Sequence, residues 1–197
     1  MSKVEVLNLR PTQFAVGMRE VETKVAKLEK FSHSEREEFL RARPVPVVLG
    51  PQGEKYLIDH HHLVRAAWEA GIDDVLTEVK ADLGRLKESD FWDHLRKEGW
   101  VYLHDQFGKG PHAPEFLPMD VRSLADDPFR SLAWALRDEK GFEKSPIPFC
   151  EFRWAEFLRK HIAGHPIRKG FHHSLKEALE LCHLPEAKKL PGYIEKK

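Results

Sequence analysis

"YLIDHHHLVRAAWEAG", residues 56–71, runs from a β-rich segment into a helical pattern and sets three consecutive histidines at the junction. Apolar residues recur at helical spacing from about His61 to Ala70, and Gly71 is a natural C-terminal stop. A strand feeding a helix start leaves backbone N–H groups and the positive end of the helix dipole beside the histidines, a setting that favours an anion. Asp59 stands where a helix cap stands. Successive helical residues point roughly 100° apart, so His60, His61 and His62 do not all converge on one ion. His61 and Arg65 are four residues apart and share a face. Three readings stay open. One is a metal site, without the HExxH spacing. Another is an anion or phosphate site completed by Arg65. The third is an ordinary helix start, capped by Asp59, whose histidines pack or face water. A histidine also titrates near neutrality and suits acid–base work.

Around this box the first half of the chain reads as strand, helices, strand, strand, helix, strand. "VEVLNL" (4–9) is a short strand. In "RPTQ" (10–13), Arg10 and Gln13 stand at a strand end, as site residues or as a simple turn. Met18, Val21, Val25 and Leu28 form a helical face. "SEREEFLRAR" (34–43) is a second helix, with Ser34 and Glu37 at capping-box spacing. "PVPVVLG" (44–50) and "KYLID" (55–59) flank "PQGE" as a hairpin, and "DDVLTEVKADL" (73–83) holds another strand. The second half is mainly helical. "SDFWDHLRKEG" (89–99) starts at Ser89 and stops at Gly99, and "WVYLHD" (100–105) reads as one more strand. "QFGKGPHAPEFLP" (106–118) is a loop, either a lid or plain surface. In "DDPFRSLAWALRDEKG" (126–141) Asp127 caps and Pro128 opens the helix. "PFCEFRWAEFLRKHI" (148–162) and "SLKEALELCH" (174–183) follow, the latter capped by Ser174, and "LPGYIEKK" is a tail. Glu151 and Arg153, set among aromatics, read as members of a structural ion pair. His161 and His165 have i, i+4 spacing, but Gly164 and Pro166 end the helix there. The fold class is therefore α+β, a small mixed sheet with packed helices and a mainly helical C-terminal extension. Residues 1–85 form the core and 86–197 the elaboration, together one compact unit.

The bulk numbers narrow the partners. The chain has 197 residues, with 32 Lys plus Arg against 32 Asp plus Glu, so global charge gives no case for nucleic acid or an anionic membrane. No apolar run reaches the roughly 20 residues of a membrane span, and there is no signal-peptide core. Cys150 and Cys182 make no CxxC, which fits a reducing, cytoplasmic setting. The aromatics of the second half, read as exposed, give a surface for a homo-oligomer.

Ile58, Asp59, His61, His62, Arg65, Ala66 and Ala67 resemble the box I-D-G-H-H-R-L-R-A-A of the ParB/sulfiredoxin superfamily. "LRPTQFAVGMREV" lies where that family's first box lies. The ordered set "RPTQ", "VGMREV", "PVPVVLGP", "YLIDHHHLVRA", "DDPFRSLAWALRD" and "PFCEFRWAEFLR" is similar to a branch labelled putative ParB-like nuclease, over about residues 5–162. The resemblance implies a ParB/sulfiredoxin-like fold and a phosphate-bearing partner, either a small molecule such as ATP or CTP or a nucleic acid. Here His60 replaces the box glycine and Leu63 an arginine, and His61 stands where sulfiredoxin has its reactive cysteine. That last difference excludes sulfiredoxin chemistry. The leading expectation is phosphoryl transfer or phosphodiester hydrolysis. His60, Arg65, Arg10 and Gln13 would hold phosphate, with His61 or His62 as acid, base or nucleophile. Asp59 would cap the helix or bind Mg²⁺ or another divalent metal. The alternatives are a metal-dependent nuclease, with Asp59 and His60 among the ligands, and a non-catalytic binding or assembly module.

Overall fold

The computed structural model describes residues 1–166 and 170–195. The chain divides into two compact units, Met1–Val16 with Glu20–Ala125, and Gly17–Arg19 with Asp126–Lys197. Residues 86–125, which the sequence groups with the helical elaboration, thus belong with the sheet. The reason is apolar packing: Phe91, Trp92, Leu95, Val101, Leu103 and Leu117 share one buried cluster with the strand residue Val48.

The first unit is built on strands β1 (Ser2–Glu5), β2 (Leu9–Pro11), a short β3 (Ala15–Val16), β4 (Val45–Leu49), β5 (Lys55–Leu57) and β6 (Asp74–Asp82). Five of them form one sheet in the order β1-β6-β4-β5-β2. The pairs β1–β6 and β4–β5 are antiparallel, while β4–β6 and β2–β5 are parallel, so the sheet is mixed. The expected strand over 4–9 is two strands on opposite edges. A 3₁₀ turn over Val6–Asn8 separates them, and the Val6 N–H donates to Asp73 O at 2.7 Å. Buried Val4, Val6 and Leu9 step by two and then by three, which breaks the period a single strand requires. The hairpin of β4 and β5 is as expected, with Val48 opposite Tyr56.

Helices α1 (Met18–Lys30), α2 (His33–Arg41), α3 (His61–Glu69) and α4 (Glu88–Glu98) complete this part of the chain. α2 begins two residues before the expected capping box. Ser32 is the cap, and its side chain and that of Glu35 satisfy each other's backbone N–H groups. Two Ser-x-x-Glu spacings overlap here, and local pattern alone does not choose between them. α4 is flanked by Lys87 rather than by Ser89 and ends at Gly99 with φ 68°. The expected strand over 100–105 is reduced to an isolated bridge of Tyr102 with Gln13.

The second unit contains α5 (Pro128–Asp138), α6 (Cys150–His161) and α7 (Phe171–Leu181). Asp127 caps α5 by accepting from the N–H groups of Phe129 and Arg130, as expected. α7 starts at Phe171, so Ser174 is a buried residue of its first turn and not the cap. Of the aromatics in the second half of the chain, Phe129, Phe142, Phe152, Trp154 and Phe157 are buried, while Phe107 and Phe116 are exposed. Glu151 does pair, with Arg137 and Arg130 of α5 rather than with Arg153. The expected tail is docked. Trp154 stacks on Phe142 at 4.5 Å, and its Nε1–H donates to Pro191 O at 2.8 Å. Gly192, at φ 75°, lies so close to Glu143 O that no Cβ fits. Trp154→Phe should keep the stacking and lose the indole bond, costing about 1–2 kcal/mol in denaturant unfolding. No measurable loss would mean that the tail is not held by this bond.

Candidate functional site

β5 delivers the chain to the histidine box, and His60 turns it into α3. His60 is in the left-handed region, φ 65° and ψ 21°, and makes no side-chain cap. The Asp59 carboxylate accepts the N–H of His60 at 2.6 Å. Asp59 is therefore not the cap of the helix. The αL turn at His60 places its carboxylate on the adjacent amide rather than on the N–H groups one turn further in. A side chain at positive φ costs roughly 1–2 kcal/mol relative to glycine's freedom there, so the histidine stands where a glycine would be easier. Asp59 is exposed and His60 half-buried.

His61 points the other way. It is 5 % exposed, and its Nε2 accepts the backbone N–H of Thr12 at 3.2 Å. The Thr12 hydroxyl donates to Leu57 O at 2.7 Å. Burial pushes the His61 imidazole down to about 3, against a smaller opposing effect from Asp59. The ring is neutral at physiological pH and serves to tie β2 and β5 to α3. The expected role as acid, base or nucleophile does not fit that position, because its acceptor nitrogen is already used inside the protein. His62 faces α1. Its Nε2 is 3.4 Å from Glu20 Oε2, both side chains being 12 % exposed, and Glu20 also holds Lys24 at 2.9 Å. Nothing in the local sequence marks Glu20 except its place beside Val21 on the buried face of α1.

Arg65, expected on phosphate, is engaged with protein. Nη1 donates to the carbonyls of Val121, Arg122 and Leu124 at 2.9, 3.2 and 3.2 Å, while Nε and Nη2 hold Glu69 at 2.9 Å. Leu63, in place of the box arginine, is buried. Arg10 and Gln13 are not brought to one point. Gln13 turns inward and donates to Ala15 O at 2.8 Å. Arg10 donates to Met119 Sδ at 2.9 Å and pairs with Glu54 at 3.4 Å. Arg10 lines a cavity of about 500 Å³ together with Asn8, Gln52, Lys55 and Asp120. That cavity lies at the start of β5, the end remote from the histidines, and its charges are mixed. Thr12, rather than Arg10 or Gln13, is the residue of "RPTQ" that reaches the box.

Among the described residues no group of three or more His, Cys, Asp or Glu side chains is arranged to hold a metal ion. Asp59 and His60 thus have no third such protein ligand there. His161 ends α6 with Nδ1 2.8 Å from Phe157 O, and Gly164 at φ 82° breaks the helical spacing to His165. Both cysteines are buried thiols outside any disulfide. No helix among the described residues is long and apolar enough to cross a membrane.

A mixed five-stranded sheet whose hairpin strand runs into a histidine-opened helix defines a ParB-like α+β protein. The chain belongs to the family described as "Putative ParB-like nuclease", whose model matches residues 2–160. It is similar to the crystal structure of protein Atu1540 from Agrobacterium tumefaciens, at 40 % identity and a TM-score of 0.89, over 100 % of this chain and 98 % of that one. No curated protein matches the chain.

Proposed function

We propose that this protein, working in the cytoplasm, binds a phosphate-bearing ligand, a nucleotide or nucleic acid, at the start of α3 and hydrolyses or transfers its phosphoryl group. The observation that carries the reading is His60. A histidine opens the helix in a backbone conformation that glycine adopts more easily, beside the first-turn amides that favour an anion. In this reading the amides and His60 hold phosphate, and His62, paired with Glu20, moves the proton. His61 and Arg65 maintain the frame. The described residues do not form a metal cage of their own, and no step here runs through a metal. The family description supports phosphodiester chemistry as the reaction class.

The test separates ligand from fold. ATP, CTP, ADP, short DNA and short RNA are titrated into the protein by calorimetry, with and without Mg²⁺ or Mn²⁺. His60→Gly should leave unfolding stability equal or higher by up to about 1 kcal/mol while weakening binding about tenfold or more. Equal binding in the variant would remove His60 from the site. No binding of any of these ligands by the wild-type protein would end the phosphate reading.

A further inference from the structure

The cavity of about 500 Å³ at the start of β5 plays no part in the histidine box. Its volume falls in the range of small-molecule sites, roughly 300–1,000 Å³. Four charged side chains line it, Arg10, Lys55, Glu54 and Asp120, and Leu7 and Met119 add apolar surface. The charges do not cancel. Asp120 is committed to Arg122. Its Oδ1 accepts the backbone N–H and the Nε–H of Arg122 at 2.9 and 3.0 Å, and its Oδ2 accepts Nη2–H at 2.8 Å. Those bonds hold the Asp120 carboxyl below its ordinary value. Glu54 is the other carboxylate on the wall, 41 % exposed and 3.4 Å from Arg10 Nη1. Lys55 is in no ion pair among the described residues. Glu54 thus stands against two cations, and the wall is short of one negative charge.

Arg10 is firmly placed and weakly matched. It stands on β2 between buried Leu9 and Pro11. Its guanidinium lies over the Tyr56 ring, 5.8 Å from the centroid. Tyr56 is itself packed by Phe91 and Trp92, at 4.7 and 5.3 Å between ring centroids. Against this rigid support, Nη2 donates to Met119 Sδ at 2.9 Å. A thioether is a weak acceptor on a flexible side chain, and Met119 is 64 % exposed. A carboxylate accepts two parallel N–H bonds from one guanidinium and carries the missing charge. It displaces the sulfur in exchange for a stronger pair.

We propose that this cavity is a second ligand site, which binds a small organic monocarboxylate on Arg10. Met119 releases Nη2 to the ligand, and Lys55 supplies the second cation. The wall sets the ligand's charge at one: the several negative charges of a nucleotide would stand beside Glu54 and Asp120, an arrangement that like-charge repulsion disfavours. The ligand's short apolar body lies along Leu7 and the methylenes of Met119. The site is separate from the start of α3 and does not depend on the phosphate reading there.

The probe is sodium butyrate, titrated into the isotope-labelled full chain and followed by backbone amide chemical shifts. Its neutral isostere butyramide is the control, and no nucleotide is present, so failure here and failure of the phosphate reading at α3 are separate outcomes. Butyrate should bind in the millimolar range expected of so small a ligand, shifting the amides of Arg10, Lys55 and Met119. Butyramide should bind about tenfold more weakly or not at all. Arg10→Gln should weaken butyrate about tenfold or more. Lys55→Gln, which breaks no ion pair of the fold, should weaken it about threefold and keeps the test open if Arg10→Gln is unstable. Equal affinity for butyrate and butyramide, or wild-type butyrate affinity in both variants, would overturn the proposal. Inorganic phosphate displacing butyrate at lower concentration than butyrate itself binds would overturn the carboxylate assignment. ATP affinity equal in Arg10→Gln and wild type would support two separate sites, and a parallel loss of ATP and butyrate would overturn that separation.

Discussion

His61→Ala should destabilise the protein by about 3–4 kcal/mol, read from denaturant unfolding at pH 7.5. Two losses combine: the cavity left by a ring that is almost wholly buried, and the Thr12 N–H left without its acceptor. The same residue makes stability fall with acid. Its ordinary value is 6.5 and its folded value about 3, so between them the unfolded chain takes up a proton that the folded one refuses. The contribution is fully present above about pH 6.5. It is lost as pH falls toward 3, at up to about 1.4 kcal/mol per pH unit. Carboxylates titrate in the lower part of that range, so the informative quantity is the difference between wild type and His61→Gln. The variant should show a flatter slope between pH 6.5 and 4.5. Parallel slopes would mean that His61 is protonated in the fold and not the neutral acceptor described above.

Arg65→Ala should cost about 3 kcal/mol. The Arg65 side chain is mostly buried and its guanidinium donates to three carbonyls of the 121–124 turn while holding Glu69, and hydrogen bonds to a charged group are each worth about 1.5–3 kcal/mol before relaxation and solvent replacement. Lysine, a point charge without the planar fork, should recover less than half of this. Ligand binding by Arg65→Lys, measured well below its unfolding temperature, should stay within about threefold of wild type. Unchanged stability with binding abolished would reverse the assignment and return Arg65 to the phosphate.

Much of the local structure is legible residue by residue. Asp127 and Pro128 announce α5, Gly71 and Gly99 follow the ends of α3 and α4, and the β-rich runs around "PQGE" announce the hairpin. Each rests on a preference acting within a few residues, which a sequence displays directly. Where two local solutions are equal, as with Ser32 and Ser34, the sequence does not choose. Residues 4–9 divide into two strands for a related reason: their apolar content suits a strand, but the period shifts between Val6 and Leu9.

The candidate site divides along the same line. That residues 56–71 carry a strand and a helix opened by histidines followed from the sequence alone, and so did the ParB-like family; the left-handed turn at His60 did not. Which histidine faces outward did not. His61 is silenced by a backbone N–H 49 residues away, and Arg65 by carbonyls 56 to 59 residues away. A side chain's protonation and availability depend on burial and on partners remote along the chain, and only the tertiary structure supplies those.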